Sequence, residues 1–214
     1  APVLGRRYSG INSTLDRVVP CQAASLRIAA VGSTVSDNTP QIRIRDIWSL
    51  WKLPPGLPVR VWHARRNDDM LAGIFLRDVM RMPLKLVFTS AAQRAHTLLT
   101  RFLISRMDAV IATSPESASY LKRPCVVIPH GMDTQNFRPA TDRAALRARY
   151  KPPDKLLIGC FGRIRPDKGT DLFLEAFRQI ARENPDVHAV ITGLAKSNYA
   201  RFVQAMRDGL ERDG

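Results

Sequence analysis

Short runs of Val, Ile and Leu recur along the chain, at 26–31, 59–62, 84–88, 109–112, 126–128, 156–161 and 187–191. Runs this short and continuous predict strands buried on both faces. Between them the apolar positions change to helical spacing, over 68–80, 91–106, 115–121, 170–182 and 198–210. Strand and helix therefore alternate, which predicts an α/β protein with parallel sheets and crossover helices. The helix edges carry matching chemistry. Ser114 is placed to cap a first turn, Pro115 suits the first helical position and Glu116 suits the positive helix end. Asn184-Pro185 stops the helix that starts near Thr170. The segment 41–58, with Trp48, Trp51 and three prolines, departs from the alternation and reads as a crossover loop or insertion.

Pro139, Pro152 and Pro153 flank a polar, basic, helix-like stretch at 143–149. Prolines on both sides disfavour continuous structure. The expected organisation is a first α/β domain over 1–140, a linker over 141–154 and a second domain over 155–214. That second domain has two strands and two helices, fewer than a doubly wound sheet needs to cover both faces, and is expected to be incomplete. The absent initiating Met agrees with a chain that begins inside a longer one.

Composition bounds the class. With 45% hydrophobic and 24% charged residues over 214 positions, disorder, collagen-like and disulfide-scaffold classes are excluded. Cys21, Cys125 and Cys160 are scattered and lack a C-x-x-C spacing, so neither a disulfide framework nor a metal site follows and a reducing cytoplasm is the expected setting. No apolar run approaches the roughly 20 residues of a membrane span, and residues 1–7 lack the apolar stretch of a signal peptide. The net charge of +14 is uneven, with 19 Lys and Arg against 9 Asp and Glu over residues 1–140, and 14 against 10 over 141–214. A field of this sign attracts polyanions: nucleic acid, anionic headgroups or phosphorylated small molecules. The segment 91–106 adds Leu98, Leu99, Phe102 and Leu103 to Arg94, Arg101 and Arg106, a basic amphipathic helix that packs on the sheet or lies on anionic lipid.

The most informative chemistry lies at 156–171, where an apolar strand runs into Gly162, then Arg163, Arg165 and Lys168, then Gly169 at a helix start. Glycine lets a ligand approach the backbone, the N–H groups opening a helix attract an anion, and Arg163 and Lys168 can converge on one pyrophosphate. From spacing alone, a strand-to-helix turn with solvated charges is an equal alternative, since neither the P-loop nor the dinucleotide fingerprint is present.

Gly162-Arg163-Ile164-x3-Lys168-Gly169-x-Asp171, preceded by Val127-Ile128-Pro129-His130-Gly131-Met132-Asp133-x3-Phe137-x-Pro139, resembles the paired signature of family 4 retaining glycosyltransferases of the GT-B fold. The stretches 6–10, 61–67, 82–94 and 107–114 resemble in particular the bacterial lipopolysaccharide-core mannosyltransferases. The resemblance implies two Rossmann-like domains, a nucleotide-sugar donor held mainly by the second and an acceptor held mainly by the first. It also implies that Arg163 and Lys168 neutralise the departing diphosphate, that Gly162 lies beside them, and that Ser9-Gly10 falls in a flexible glycine loop over the donor phosphates. His63 lies near the family's active-site histidine. Where many members read His-x-His, this chain reads His63-Ala64-Arg65, so either His63 or Arg65 takes the catalytic position, and a structural role for His63 is an equal alternative. His130 stands where relatives often carry Asn and reads as a turn residue.

The family's donor domain ends in two glutamates eight apart, and this sequence stops before any such segment, so a fragment or truncated product is expected. The implied reaction moves mannose from GDP-mannose, with retention and no resident cofactor or metal, to a lipid-linked core oligosaccharide at the cytoplasmic membrane face. The chain as written is expected to be inactive on its own. Two rivals remain: a donor-binding remnant, and a basic nucleic-acid-binding protein. The second lacks a helix-turn-helix, zinc or RNP pattern, and aromatic residues are only 7% of the chain.

Overall fold

A computed structural model describes residues 1–4, 10–32, 35–135 and 137–213. The chain divides into two compact units, Ala1–Arg138 and Pro139–Gly214.

In the first unit, β3 (Arg60–Ala64), β4 (Leu84–Ser90), β5 (Ala109–Ala112) and β6 (Val126–Val127) form a parallel sheet in sequential order. Along β4 the inward positions Leu84, Leu86, Phe88 and Ser90 are all buried. Helix α2 (Asn67–Ile74) lies against this sheet. Gly73 allows the close approach, because a Cβ there would sit 2.6 Å from the Trp62 ring. The core gathers Trp62, Met70, Leu86, Phe88, Leu103 and Val110 with their neighbours. A second pair, β1 (Ala30–Val31) and β2 (Gln41–Ile42), is also parallel, and Pro2 bridges to Val31 on the other side of β1.

Several expectations change. Of the run 26–31 only Ala30–Val31 is strand, because Leu26 closes a turn onto the Gln22 carbonyl and stays exposed. Helix α1 (Gly10–Ala23) occupies a stretch whose internal Pro20 hides it from pattern reading. The segment 41–58 contains β2 and a 3-10 turn, Ile44–Trp51. The helix expected over 68–80 changes to a π-helical turn at Phe75–Val79. The one expected over 91–106 shrinks to α3 (Leu98–Ser105), because Thr97 is extended and its hydroxyl caps the Thr100 N–H at 3.3 Å. Only Leu103 of its four named apolar residues is buried; Leu98, Leu99 and Phe102 face outward. Helix α4 (Pro115–Ser119) starts as its sequence predicts, with Ser114 as cap.

In the second unit, helix α5 (Arg143–Tyr150) folds within the stretch read as linker and buries no residue. Strands β7 (Leu156–Phe161) and β8 (Val187–Thr192) pair in parallel, with α6 (Thr170–Glu183) between them and α7 (Ala200–Asp213) after them. Leu174 and Thr170 are the buried residues of α6.

Candidate functional site

In parallel α/β sheets, ligands gather at the carboxyl ends of the strands. In the first unit, β3 carries His63 opposite Val87 of β4, with Thr89 two residues further along the same face. The His63 Nε2 lies 2.6 Å from the Thr89 hydroxyl oxygen. Burial pushes the His63 imidazole down to about 4, and the neighbouring Arg65 charge acts in the same direction. His63 is therefore neutral at pH 7 and acts as a hydrogen-bonding group with its second ring nitrogen free of the Thr89 contact. Burial also lowers Arg65, with the Asp69 charge opposing that effect. No described residue accepts a hydrogen bond from the Arg65 guanidinium, and its Nε is sealed from solvent.

Asp69, 1% exposed in the first turn of α2, holds this strand end in place. Its Oδ2 accepts the backbone N–H groups of Arg65 at 3.2 Å and Arg66 at 3.0 Å. Burial pushes the Asp69 carboxyl up, against the pull of these N–H groups and the Arg66 charge. Arg66 Nη2 in turn donates to Asn12 Oδ1 at 2.8 Å, tying the β3 end to the first turn of α1. Gly10 is the first residue of α1, and Ser9 lies outside the described residues. Thr89, Asp69 and Asn12 escape sequence reading. Asp69 had one local signal, an acid in a first helical turn; Thr89 and Asn12 act across 26 and 54 residues and had none.

The second unit holds the anion-type turn. After β7, Gly162 takes φ of +146°, which disfavours any side chain, and its N–H donates to the Thr192 carbonyl. Gly193 at the end of β8 packs against it so closely that a Cβ would lie 1.5 Å from the Gly162 carbonyl oxygen. The chain then makes the 3-10 turn Pro166–Lys168 and enters α6 through Gly169, at φ of +69°. No side chain caps α6, so its leading N–H groups have no side-chain acceptor. Arg165 is ion-paired to Asp167 at 2.9 Å, whereas Arg163 and Lys168 form no ion pair among the described residues. Arg163 is half-buried and Lys168 exposed. Two uncommitted cations thus flank an open helix start, an arrangement that can neutralise a diphosphate.

His130 is exposed in an irregular segment after β6. Among the described residues no His, Cys, Asp and Glu group has the geometry to hold a metal ion, and no helix is long and apolar enough to cross a membrane.

Residues 142–211 match the family described as glycosyl transferases group 1. The chain is 45% identical, over 100% of its length and 62% of the relative's, to a lipopolysaccharide core biosynthesis mannosyltransferase of Rhizobium meliloti (strain 1021). It is 43% identical, over 97% of its length and 59% of the relative's, to a second lipopolysaccharide core biosynthesis mannosyltransferase, from Rhizobium leguminosarum bv. viciae. Over 31% of its length it is 37% identical to 18% of a GDP-mannose-dependent alpha-(1-6)-phosphatidylinositol monomannoside mannosyltransferase of Mycolicibacterium smegmatis. The chain spans about three-fifths of the length of the two rhizobial relatives.

Proposed function

We infer, from a chain that belongs to the group 1 glycosyltransferases and has the parallel α/β build of a GT-B member, that the protein transfers mannose from a nucleoside-diphosphate sugar to a lipopolysaccharide-core or related glycan. The observation that carries this reading is the 45% identity along the whole chain to a mannosyltransferase of that description. The open start of α6 supports the donor half of it.

In this mechanism the second unit holds the diphosphate on Arg163, Lys168 and the α6 N–H groups. Negative charge grows on the leaving phosphate as the anomeric C–O bond breaks, so these groups bind the transition state more tightly than the ground state. The acceptor hydroxyl oxygen bonds to the anomeric carbon on the face the diphosphate leaves, and its proton departs on the nucleoside diphosphate. Configuration is retained, with GDP-mannose as donor. Neutral His63, braced by Thr89, hydrogen-bonds a sugar hydroxyl, and Arg65 offers guanidinium N–H groups that no described residue accepts. No carboxylate pair among the described residues identifies a covalent nucleophile, so a glycosidase-type double displacement is not assumed. A lipid-linked acceptor and peripheral contact with an anionic membrane at the cytoplasmic face complete the reading, in keeping with the excess of Lys and Arg over residues 1–140.

The donor half is tested by calorimetry with GDP. Replacing Arg163 by Ala removes a charge-assisted bond and is expected to weaken binding about tenfold. Arg165→Ala, which removes a cation already paired to Asp167, is expected to weaken it by about twofold or less. Equal losses, or unchanged affinity in a folded Arg163→Ala protein, would remove the α6 turn from the mechanism.

A further inference from the structure

Helix α3 and the turn after α4 enclose a groove of about 630 Å³ that the proposed reaction does not use. Buried Ile104 and Leu121 line it, together with Leu98, Phe102 and Tyr120, which are 79%, 62% and 42% exposed. Leu98 and Phe102 stand one helical turn apart and so share a face of α3. The segments that build the groove, 96–105 and 120–124, contain Arg101, Lys122 and Arg123 and no carboxylate. Arg123 is committed to structure, since its Nη1 donates to the Ile104 and Met107 carbonyls at 2.6 and 3.1 Å and closes the end of α3. Arg101 and Lys122 have no ion pair and no side-chain hydrogen bond among the described residues.

We propose that this groove binds a single anionic amphiphile, a fatty chain ending in a phosphate monoester, with the chain along Leu98, Phe102 and Tyr120 and the phosphate on Arg101 and Lys122. The volume is that of a pocket for one small molecule. Two cations without counter-charges call for an anionic head, and the aliphatic lining of Ile104 and Leu121 calls for a hydrocarbon. Ser105 donates to the Phe102 carbonyl and Arg123 to the Ile104 and Met107 carbonyls, so neither is left to read the edge of a nucleotide base. The groove also has a defined neighbour: His96 lines it, and the His96 Nε2 lies 3.4 Å from the hydroxyl of Ser90 at the carboxyl end of β4. His96 thus brings one rim of the groove to the carboxyl end of β4, while Lys122 precedes β6 and lies toward the amino ends of the strands. Identification of the amphiphile as the lipid end of an acceptor rests on the transferase reading; the binding itself does not.

Calorimetry of the chain with dodecyl phosphate below its micelle concentration, without any nucleotide sugar, separates this proposal from that reading. The expected result is saturable binding, with dodecyl maltoside on the order of tenfold weaker and millimolar inorganic phosphate failing to compete. Phe102→Asp and Lys122→Glu each reduce affinity by about tenfold or more with the circular dichroism unchanged, and Leu98→Gln serves as the second rim variant should Phe102→Asp perturb folding. Equal affinity for the maltoside, full competition by inorganic phosphate, or unchanged affinity in the folded variants would overturn the proposal. So would sedimentation with phosphatidylglycerol vesicles that both variants abolish while monomeric dodecyl phosphate fails to bind, since that result assigns the face to a membrane surface instead.

Discussion

Strands β4 and β7 have similar sequences, Leu-Lys-Leu-Val-Phe-Thr-Ser and Leu-Leu-Ile-Gly-Cys-Phe, and different fates. In β4, paired to β3 and β5, every second residue is buried; in β7, which among the described residues pairs to β8 alone, no residue is, and Leu156 and Phe161 are 63% and 79% exposed. The more continuously apolar strand is thus the less buried one. Hydrophobicity of a run states what a strand can bury, and the layers packed on it decide what it does bury. The two candidate sites follow the same division. The first unit fixes His63 by a part-buried hydrogen bond with Thr89 and the Arg65 backbone N–H by one to Asp69, while the second presents Arg163 and Lys168 on an open turn.

The sharpest way to break this comparison is truncation of one leucine in each strand. Leu86, fully buried at the centre of β4, is expected to cost about 2–5 kcal/mol when replaced by Ala. Leu157 in β7, 37% exposed, is expected to cost about 1 kcal/mol or less. All three tryptophans, Trp48, Trp51 and Trp62, lie in the first unit, so a urea transition followed by tryptophan fluorescence reports that unit. Leu86→Ala should move its midpoint strongly and Leu157→Ala should leave it in place. Similar shifts would mean that the units unfold together and that exposure in β7 has no energetic meaning.

Much of this division could be read from the chain. The cores of β3, β4, β5, β7 and β8 announce themselves as short apolar runs, and Ser114-Pro115 fixes the start of α4. Helix α1 stays hidden because Val18, Val19 and Pro20 argue against a helix that tertiary packing of Leu15 and Val19 then stabilises. Strand β2 is two residues long after Pro40, too short for any period to register. The sites divide in the same way. The turn from Gly162 to Gly169 is local, so its glycines and cations are visible in sequence order. The Thr89 hydroxyl meets His63 through the parallel β3–β4 register, and Asn12 meets Arg66 where helix α1 comes to the end of β3, both across distances at which a sequence carries no signal.

A second test uses pH to sharpen the contrast between a buried and an open site. The unfolded His63 gains a proton as pH falls below about 6.5, while the native imidazole stays neutral until about 4. Folding stability attached to His63 is therefore complete above pH 6.5 and declines as pH falls toward 4, by at most on the order of 3 kcal/mol. Titration of other buried groups adds to any acid sensitivity. The informative quantity is thus the difference between the wild-type chain and His63→Gln. Urea midpoints at pH 7 and pH 4.5 should diverge more in the wild type than in the variant. Equal divergence would show that His63 titrates in the native state much as it does when unfolded.

The smallest expected effect compares two helix caps. The Ser114 hydroxyl accepts the Ser117 N–H at 3.1 Å, and Ser117 is completely buried, its own hydroxyl donating to the Ser90 carbonyl at 2.9 Å. Asp142 Oδ1 accepts the Ala145 N–H at 2.9 Å at the start of α5, a helix with no buried residue. Both are one-bond caps on short helices, and in isolation they would be worth the same. Water can replace the Asp142 bond but reaches the Ser117 N–H poorly, so Ser114→Ala is expected to cost about 1–2 kcal/mol and Asp142→Ala about 0.5 kcal/mol. Tryptophan fluorescence reads the first in urea, and ellipticity at helical wavelengths reads the second. Equal costs would show that cap chemistry alone sets helix-end stability here, and that the difference in burial between the two units stops short of their individual hydrogen bonds.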